Sequence, residues 1–329
     1  MGNHSYAAGN ASSVLATVVI YNRSIENSEA VQALLGCFAE DPALAAEFRV
    51  LLYDNSSEAQ PPPQISTVDV SYHHDELNGG LAVAYNHALG LAVEAGIPWL
   101  MLLDQDTRVT AEYLHEVLAL QPVAAQDPRI VAFAPKLAGP TGPRSPAMDF
   151  LDALHRQVIL PRRRRPLILP PETYGPQQRP TVAFNSAAVL RTHAVQAIGG
   201  FPTAYWLDFL DMAVFHDLYR HGGHLFVMRS TLEHSLSVEE DDFMERSTSL
   251  SRHRNILSAM THYVKTNGNA WERLLHRGWL TRNFFSLVSR RGGLRFALAS
   301  LSQAFTYSTR PRDAAHAESA PATASDGQR

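Results

Sequence analysis

Over the first third of the chain, short apolar runs that end in polar clusters alternate with amphipathic stretches. Residues 14–20 (Val-Leu-Ala-Thr-Val-Val-Ile) end at Tyr21-Asn22, residues 48–53 at Asp54-Asn55-Ser56-Ser57, and residues 98–103 at Asp104-Gln105-Asp106-Thr107. Apolar runs of this length, closed by turn-forming residues, read as buried strands. Between them, Val31, Leu34, Leu35 and Phe38 recur at i, i+3, i+4 and i+7 after Ser28, which is one face of a helix. A Pro-rich loop at 61–63 and a weak strand near 68–72 follow. Asn78-Gly79-Gly80 then opens a second helix over about 81–95, which Gly96 stops. This alternation predicts an α/β fold with a mostly parallel, Rossmann-like sheet flanked by helices. Polar residues collect at the strand C-termini, where open sheets of this kind bind ligands.

The middle of the chain is less regular. Residues 130–134 read as a strand, and 138–180 as a proline-crowded loop that carries Arg162-Arg163-Arg164-Arg165. That arginine run either clamps an acidic acceptor, touches anionic lipid, or is a solvated charged loop. Strand pattern returns over 181–190. Thr192 is expected to cap a short helix ended by Gly199-Gly200, followed by a helix over 206–220 and a strand over 224–228. After Arg246 the chain turns basic, and Glu272 is the only acid before Arg312. Trp271, Leu274, Trp279, Phe284, Phe285, Phe296 and Leu298 interleave with the arginines. Such a stretch fits a helix lying on an anionic membrane surface, or a C-terminal helix packed on the domain with its cations outward. The organisation expected is a flexible tail over 1–12, one domain over 13–265, a basic amphipathic helical extension over 266–310 with peripheral membrane contact, and a disordered tail over 311–329.

Composition narrows this picture. The 329 residues are 45% hydrophobic and 18% charged, ordinary for a globular protein, and the net charge of −4 argues against nucleic-acid binding. The single cysteine, Cys37, excludes an internal disulfide and a Cys-based zinc site, and its place on the apolar face of a helix reads as a buried structural thiol. With no signal-peptide core and no apolar run approaching 18 residues, the chain is expected in the cytoplasm or at the cytoplasmic face of a membrane.

The chemistry concentrates at Asp104 and Asp106. Two carboxylates two positions apart, just past a strand end, suit Mg²⁺ or Mn²⁺ bridging to a diphosphate, although Asp-x-Asp also occurs in plain turns. The order Val18-Val19-Ile20-Tyr21-Asn22, Tyr53-Asp54-Asn55-Ser56-Ser57, Asn78-Gly79-Gly80-Leu81-Ala82-Val83-Ala84-Tyr85-Asn86 and Leu103-Asp104-Gln105-Asp106-Thr107 resembles the family 2 inverting glycosyltransferases, which have the GT-A fold. The form Leu-Asp-Gln-Asp-Thr is similar to the bacterial rhamnosyltransferase branch. Ile198-Gly199-Gly200-Phe201 with Trp206-Leu207-Asp208-Phe209-Leu210-Asp211 resembles the family's acceptor segment, Leu232-Glu233-His234 its late histidine, and Arg254-Asn255 its Arg-Asn after the core.

The resemblance implies a metal-dependent transfer of L-rhamnose from dTDP-L-rhamnose to a lipid-linked or polysaccharide acceptor in cell-surface glycan synthesis. It implies Mg²⁺ or Mn²⁺ on Asp104, Asp106 and His234. The donor would lie against Ile20, Tyr21, Asp54, Asn78, Gly80, Asn86, Asp104 and Gln105, with Tyr21 stacking on the base and Asp54 accepting its N–H. Asp211 would be the base, with Asp208 and Asn185 orienting the acceptor; Asp208 and Asp211, at i and i+3, would share a helix face. The sequence departs from the family at Ala213, where a Glu is usual, and at Val214, where an aromatic is. That departure supports a rival, a nucleotide-sugar-binding protein without turnover. A UDP-hexose or UDP-galactofuranose is the alternative donor.

Overall fold

The computed structural model describes residues 12–63, 65–139, 142–159, 168–233, 249–290 and 292–307. His234, the arginine run at 162–165 and both tails lie outside the described residues.

The first four strands are β1 (Val14–Ile20), β2 (Phe48–Asp54), β3 (Asp69–His74) and β4 (Trp99–Asp104). β5 (Ile130–Gly139), β6 (Gly142–Ser145), β8 (Gly175–Pro176), β10 (Ala188–Arg191) and β11 (His224–Glu233) complete, among the described residues, a nine-stranded sheet of order β3-β2-β1-β4-β10-β5-β11-β8, with β6 on β5. β7 (Ala147–Met148) and β9 (Thr181–Val182) form a small second sheet. β1, β2, β3 and β4 are mutually parallel, and β10 runs antiparallel between β4 and β5. Strand order reverses between β1 and β4, and the C-terminal ends of those strands open the crevice.

Both faces of the sheet are covered, which is why its strands read as continuous apolar runs rather than alternating ones. Along β1, Leu15 and Val19 face one core, while Val14, Ala16, Val18 and Ile20 face the other. The first core is closed by α3 (Leu81–Glu94), α6 (Thr192–Ala197) and α7 (Leu210–Arg220). The second is closed by α1 (Glu29–Glu40), α2 (Pro42–Ala46) and α4 (Ala111–Gln126). Local chemistry starts these helices: Ser28 accepts from the Val31 N–H to cap α1, and Asp41 accepts from Ala43 and Leu44 ahead of Pro42 to cap α2. α5 (Phe150–Ile159), α8 (Leu250–Asn267), α9 (Ala270–Val288) and α10 (Leu294–Thr306) complete the fold. No helix among the described residues is long and apolar enough to cross a membrane.

Several expectations are corrected. Residues 138–180 are not one loop, since β6, β7, α5 and β8 fall inside them. The strand over 181–190 is broken, because Ala187 takes a positive φ of 61° and residues 183–187 turn between β9 and β10. Thr192 does not cap α6; its hydroxyl donates to the Ile97 carbonyl at 2.7 Å. α7 begins at Leu210 and not at 206, because Phe209 sits in the left-handed region at φ 67°. Cys37 is half-buried rather than buried. α4 has no counterpart among the expected elements, and Pro122 lies inside it.

Candidate active site at the strand-order reversal

The loops at the ends of β1, β2 and β4 are tied together by side chains distant in sequence. Gln105 Oε1 accepts the Tyr21 N–H at 2.9 Å, and the Gln105 carbonyl accepts from Ser28 Oγ at 2.9 Å. The Ile20 carbonyl accepts the Asn55 N–H at 2.8 Å. Backbone and amide groups expected to meet the donor thus bind within the chain, while the Tyr21 ring is exposed. Asp54 has no exposed surface; it accepts from Ser56 N at 2.9 Å, Tyr72 Oη at 2.9 Å and Gln60 Nε2 at 3.0 Å. Gln60, which sequence reasoning did not single out, also accepts from Ile25 N and donates to the Arg23 carbonyl.

On the opposite wall, the start of α3 is locked to the 200–206 segment at two points. Asn86 donates to the Phe201 carbonyl at 2.7 Å and accepts the Phe201 N–H at 2.8 Å, so its amide holds the 200–206 segment. Gly200, at φ 86°, makes room for it, since a Cβ there would stand 2.6 Å from Asn86 Oδ1. Trp206 Nε1 donates to the Asn78 carbonyl at 2.9 Å, and the Leu81 N–H donates to the Trp206 carbonyl at 2.9 Å. Gly80 at φ 85° is required beneath it, because a Cβ would lie 2.4 Å from the Trp206 carbonyl oxygen.

The acids meet between these walls. Asp104 ends β4 and accepts a short hydrogen bond from Ser186 Oγ, on the turn before β10. Asp211 lies in the first turn of α7, where the helix N-terminus favours its charge. Burial pushes its carboxyl up to about 6; the Met212 N–H opposes this, while Asp208 and Asp104 reinforce it. Asp208 sits in the turn before α7 rather than on its face. Burial raises its carboxyl too, and Arg252 at 3.6 Å counters that. Among the described residues, Arg252 of α8 is the cation that pairs with Asp208. Tyr85 is fully buried, its hydroxyl has no partner among the described residues, and burial with the charges of Asp104 and Asp211 raises its pKa. Asn185 is buried with its Oδ1 likewise unpartnered.

Behind α7, Asp149 accepts the Tyr263 hydroxyl at 2.5 Å, and His216 Nδ1 lies 3.1 Å from the same oxygen. This network ties α5, α7 and α8 together under Phe209, whose ring packs on Phe150 and Tyr263. Its members lie up to 114 residues apart, so no local pattern signals it.

Among the described residues no cluster of three His, Cys, Asp or Glu surrounds a metal position. The donors present are the carboxylates of Asp104 and Asp106, and Asp106 has no side-chain partner among the described residues. An all-oxygen pair of this kind fits a hard divalent ion that completes its shell with water and phosphate oxygens.

No protein-family model and no curated protein sequence matches the chain significantly. Solved structures do. The chain is similar to GalNAc-T7 with UDP, GalNAc and Mn²⁺, at a TM-score of 0.55 and 13% identity over 90% of this chain and 56% of that one. It is also similar to S. aureus TarS 1-349 in complex with UDP-GlcNAc, at a TM-score of 0.51 and 14% identity over 89% of this chain and 81% of that one. The fold is GT-A. At these identities the likeness is one of architecture, and the chain spans little more than half the length of the GalNAc-T7 chain.

Proposed function

We propose that this protein is a metal-dependent inverting glycosyltransferase that takes a sugar from a nucleoside-diphosphate donor. The reading rests on one observation: Asp104, Asp208 and Asp211 converge, with the orphaned hydroxyl of Tyr85, at the strand-order reversal of a GT-A sheet. The two structural neighbours, crystallised with UDP and Mn²⁺ or with UDP-GlcNAc, support a nucleotide-sugar donor. The motif Leu103-Asp104-Gln105-Asp106-Thr107 favours dTDP-L-rhamnose as that donor and a glycan or glycolipid as acceptor, with a UDP-hexose as the alternative.

In this mechanism the exposed Tyr21 ring stacks on the base at one end of the crevice. Asp104 and Asp106, with His234 as a third candidate ligand, would hold Mg²⁺ or Mn²⁺, which when bound offsets negative charge on the leaving diphosphate. Asp211 takes the proton of the acceptor hydroxyl as that oxygen bonds to the anomeric carbon from the face opposite the leaving group, and the configuration inverts. A carboxyl near 6 is mostly ionised at neutral pH and is a stronger base than an ordinary Asp. Asp208, held by Arg252, and Asn185 orient the acceptor.

A second reading, donor binding without turnover, is favoured by Ala213. It is buried in the apolar core where the resemblance expects Glu. Calorimetric titration of UDP- and dTDP-sugars with and without Mn²⁺ tests the first reading. Saturable, Mn²⁺-dependent binding that weakens in Asp106→Asn is expected, and absence of binding to every donor ends the proposal. Product formation that disappears in Asp211→Asn, with donor affinity kept, separates an enzyme from a binding protein.

A further inference from the structure

Among the described residues, the outer side of the C-terminal layer is apolar, basic and uncovered. On α9, Trp271, Leu274, Phe285 and Val288 are exposed, and their spacing places them along one side of the helix. Leu275, His276, Leu280 and Leu287 are buried on the other. α10 does the same, exposing Leu294, Leu298 and Phe305 while burying Ala297 and Ser300. Exposed cations border the α9 stripe, Arg273 and Arg277 along one edge and Arg282 along the other. Lys265, Arg273 and Arg277 also line a cavity of about 580 Å³, with Leu274 and Tyr307 in its wall. The only acid across α8, α9 and α10, Glu272, is committed to the Asn269 N–H in a capping box.

We infer that this face rests on the surface of an anionic phospholipid membrane. The apolar stripes enter the boundary between headgroups and acyl chains, and a lipid phosphate sits at the cavity mouth among Lys265, Arg273 and Arg277. Charge complementarity selects this occupant. Two copies of the chain meeting face to face through this surface would set arginines against arginines with no free acid to relieve them, whereas anionic headgroups supply the missing charge. Contact this shallow needs no membrane-crossing helix, and none is found among the described residues. The inference stands apart from donor chemistry.

Co-sedimentation of the full chain with vesicles tests it. Binding to phosphatidylglycerol vesicles, absent with phosphatidylcholine and lost at high salt, is expected. Arg273→Gln with Arg277→Gln should weaken partitioning about thirtyfold, and Phe285→Ser about tenfold. Donor titration on the same samples should be unchanged in both variants, so failure here is distinguishable from failure of the glycosyltransferase reading. Absent or charge-independent vesicle binding overturns the inference. So does light scattering that shows a dimer which Phe285→Ser dissociates, because the face is then an interface between copies.

Discussion

The crevice and the C-terminal layer treat polar and apolar groups in opposite ways. At the crevice, carboxylates are drawn inward and partly desolvated, with Asp211 and Asp208 both raised by burial. In the C-terminal layer, large apolar side chains are pushed outward, and Phe305 is 79% exposed. Neither arrangement stabilises the fold, since buried acids and uncovered apolar surface both oppose it. Each is understandable as surface kept for something outside the chain, a charged substrate in one region and an amphipathic partner in the other. The supports differ accordingly. The crevice is braced by side-chain hydrogen bonds across long sequence separations, such as Asn86 to Phe201, while α8, α9 and α10 bury a small core around Leu257, Leu280 and Tyr307.

Substitutions should break the two regions differently. The largest effect is expected for Asp211→Asn, which removes the proposed base. Turnover should fall about 10²- to 10⁴-fold, with donor affinity nearly unchanged in the same titration. Next is Gly80→Ala, whose Cβ would meet the Trp206 carbonyl at 2.4 Å from a backbone at φ 85°. A loss of roughly 1–3 kcal/mol is expected by urea denaturation, along with weaker acceptor use as the Trp206 segment shifts. Asn86→Ala leaves the Phe201 N–H and carbonyl without their partners and should cost about 1–3 kcal/mol by the same measurement. At the other extreme, Phe285→Ser on the exposed stripe should change stability by no more than ~0.5 kcal/mol, so any vesicle effect is one of binding.

The pH dependence sharpens the same contrast, because the two regions carry opposite signs. In the metal-free protein, Asp211 is raised from 3.8 to about 6, so the folded state binds more protons than the unfolded state in that window. Stability of the α7 segment should therefore fall as pH rises from about 4 to 6. His276 is buried, and burial lowers it from 6.5 to about 4. The unfolded state binds more protons there, so stability of the C-terminal layer should rise with pH between about 4 and 6.5. Hydrogen exchange across this range should show protection moving in opposite directions in the two regions. Asp211→Asn should flatten the first trend and His276→Phe the second; parallel trends would refute the assignment of these shifts.

The sequence carries the strands and where they end in its local pattern. Its apolar runs gave β1 and β2 almost to the residue and placed Asp54, Asp104 and Asp106 at the strand C-termini or just beyond, because burial on both faces writes a continuous apolar signal into a short segment. It also held the motif order that resembles a GT-A enzyme, and the solved structures agree on that fold. Tertiary structure alone decided which of those polar groups look outward. Asn86 and Gln105, conspicuous in the motifs, use their amides to fasten Phe201 and Tyr21, the motif residue Tyr85 is buried with its hydroxyl unpartnered among the described residues, and Gln60 and the Asp149–His216–Tyr263 network carry no local pattern. The left-handed Phe209, which moved the start of α7 past Asp208, is of the same kind. Periodicity reports how a segment meets the average interior, whereas a hydrogen-bond partner 84 or 115 residues away, as in the Tyr21–Gln105 and Phe201–Asn86 pairs, is chosen by the packing of elements that no single stretch contains.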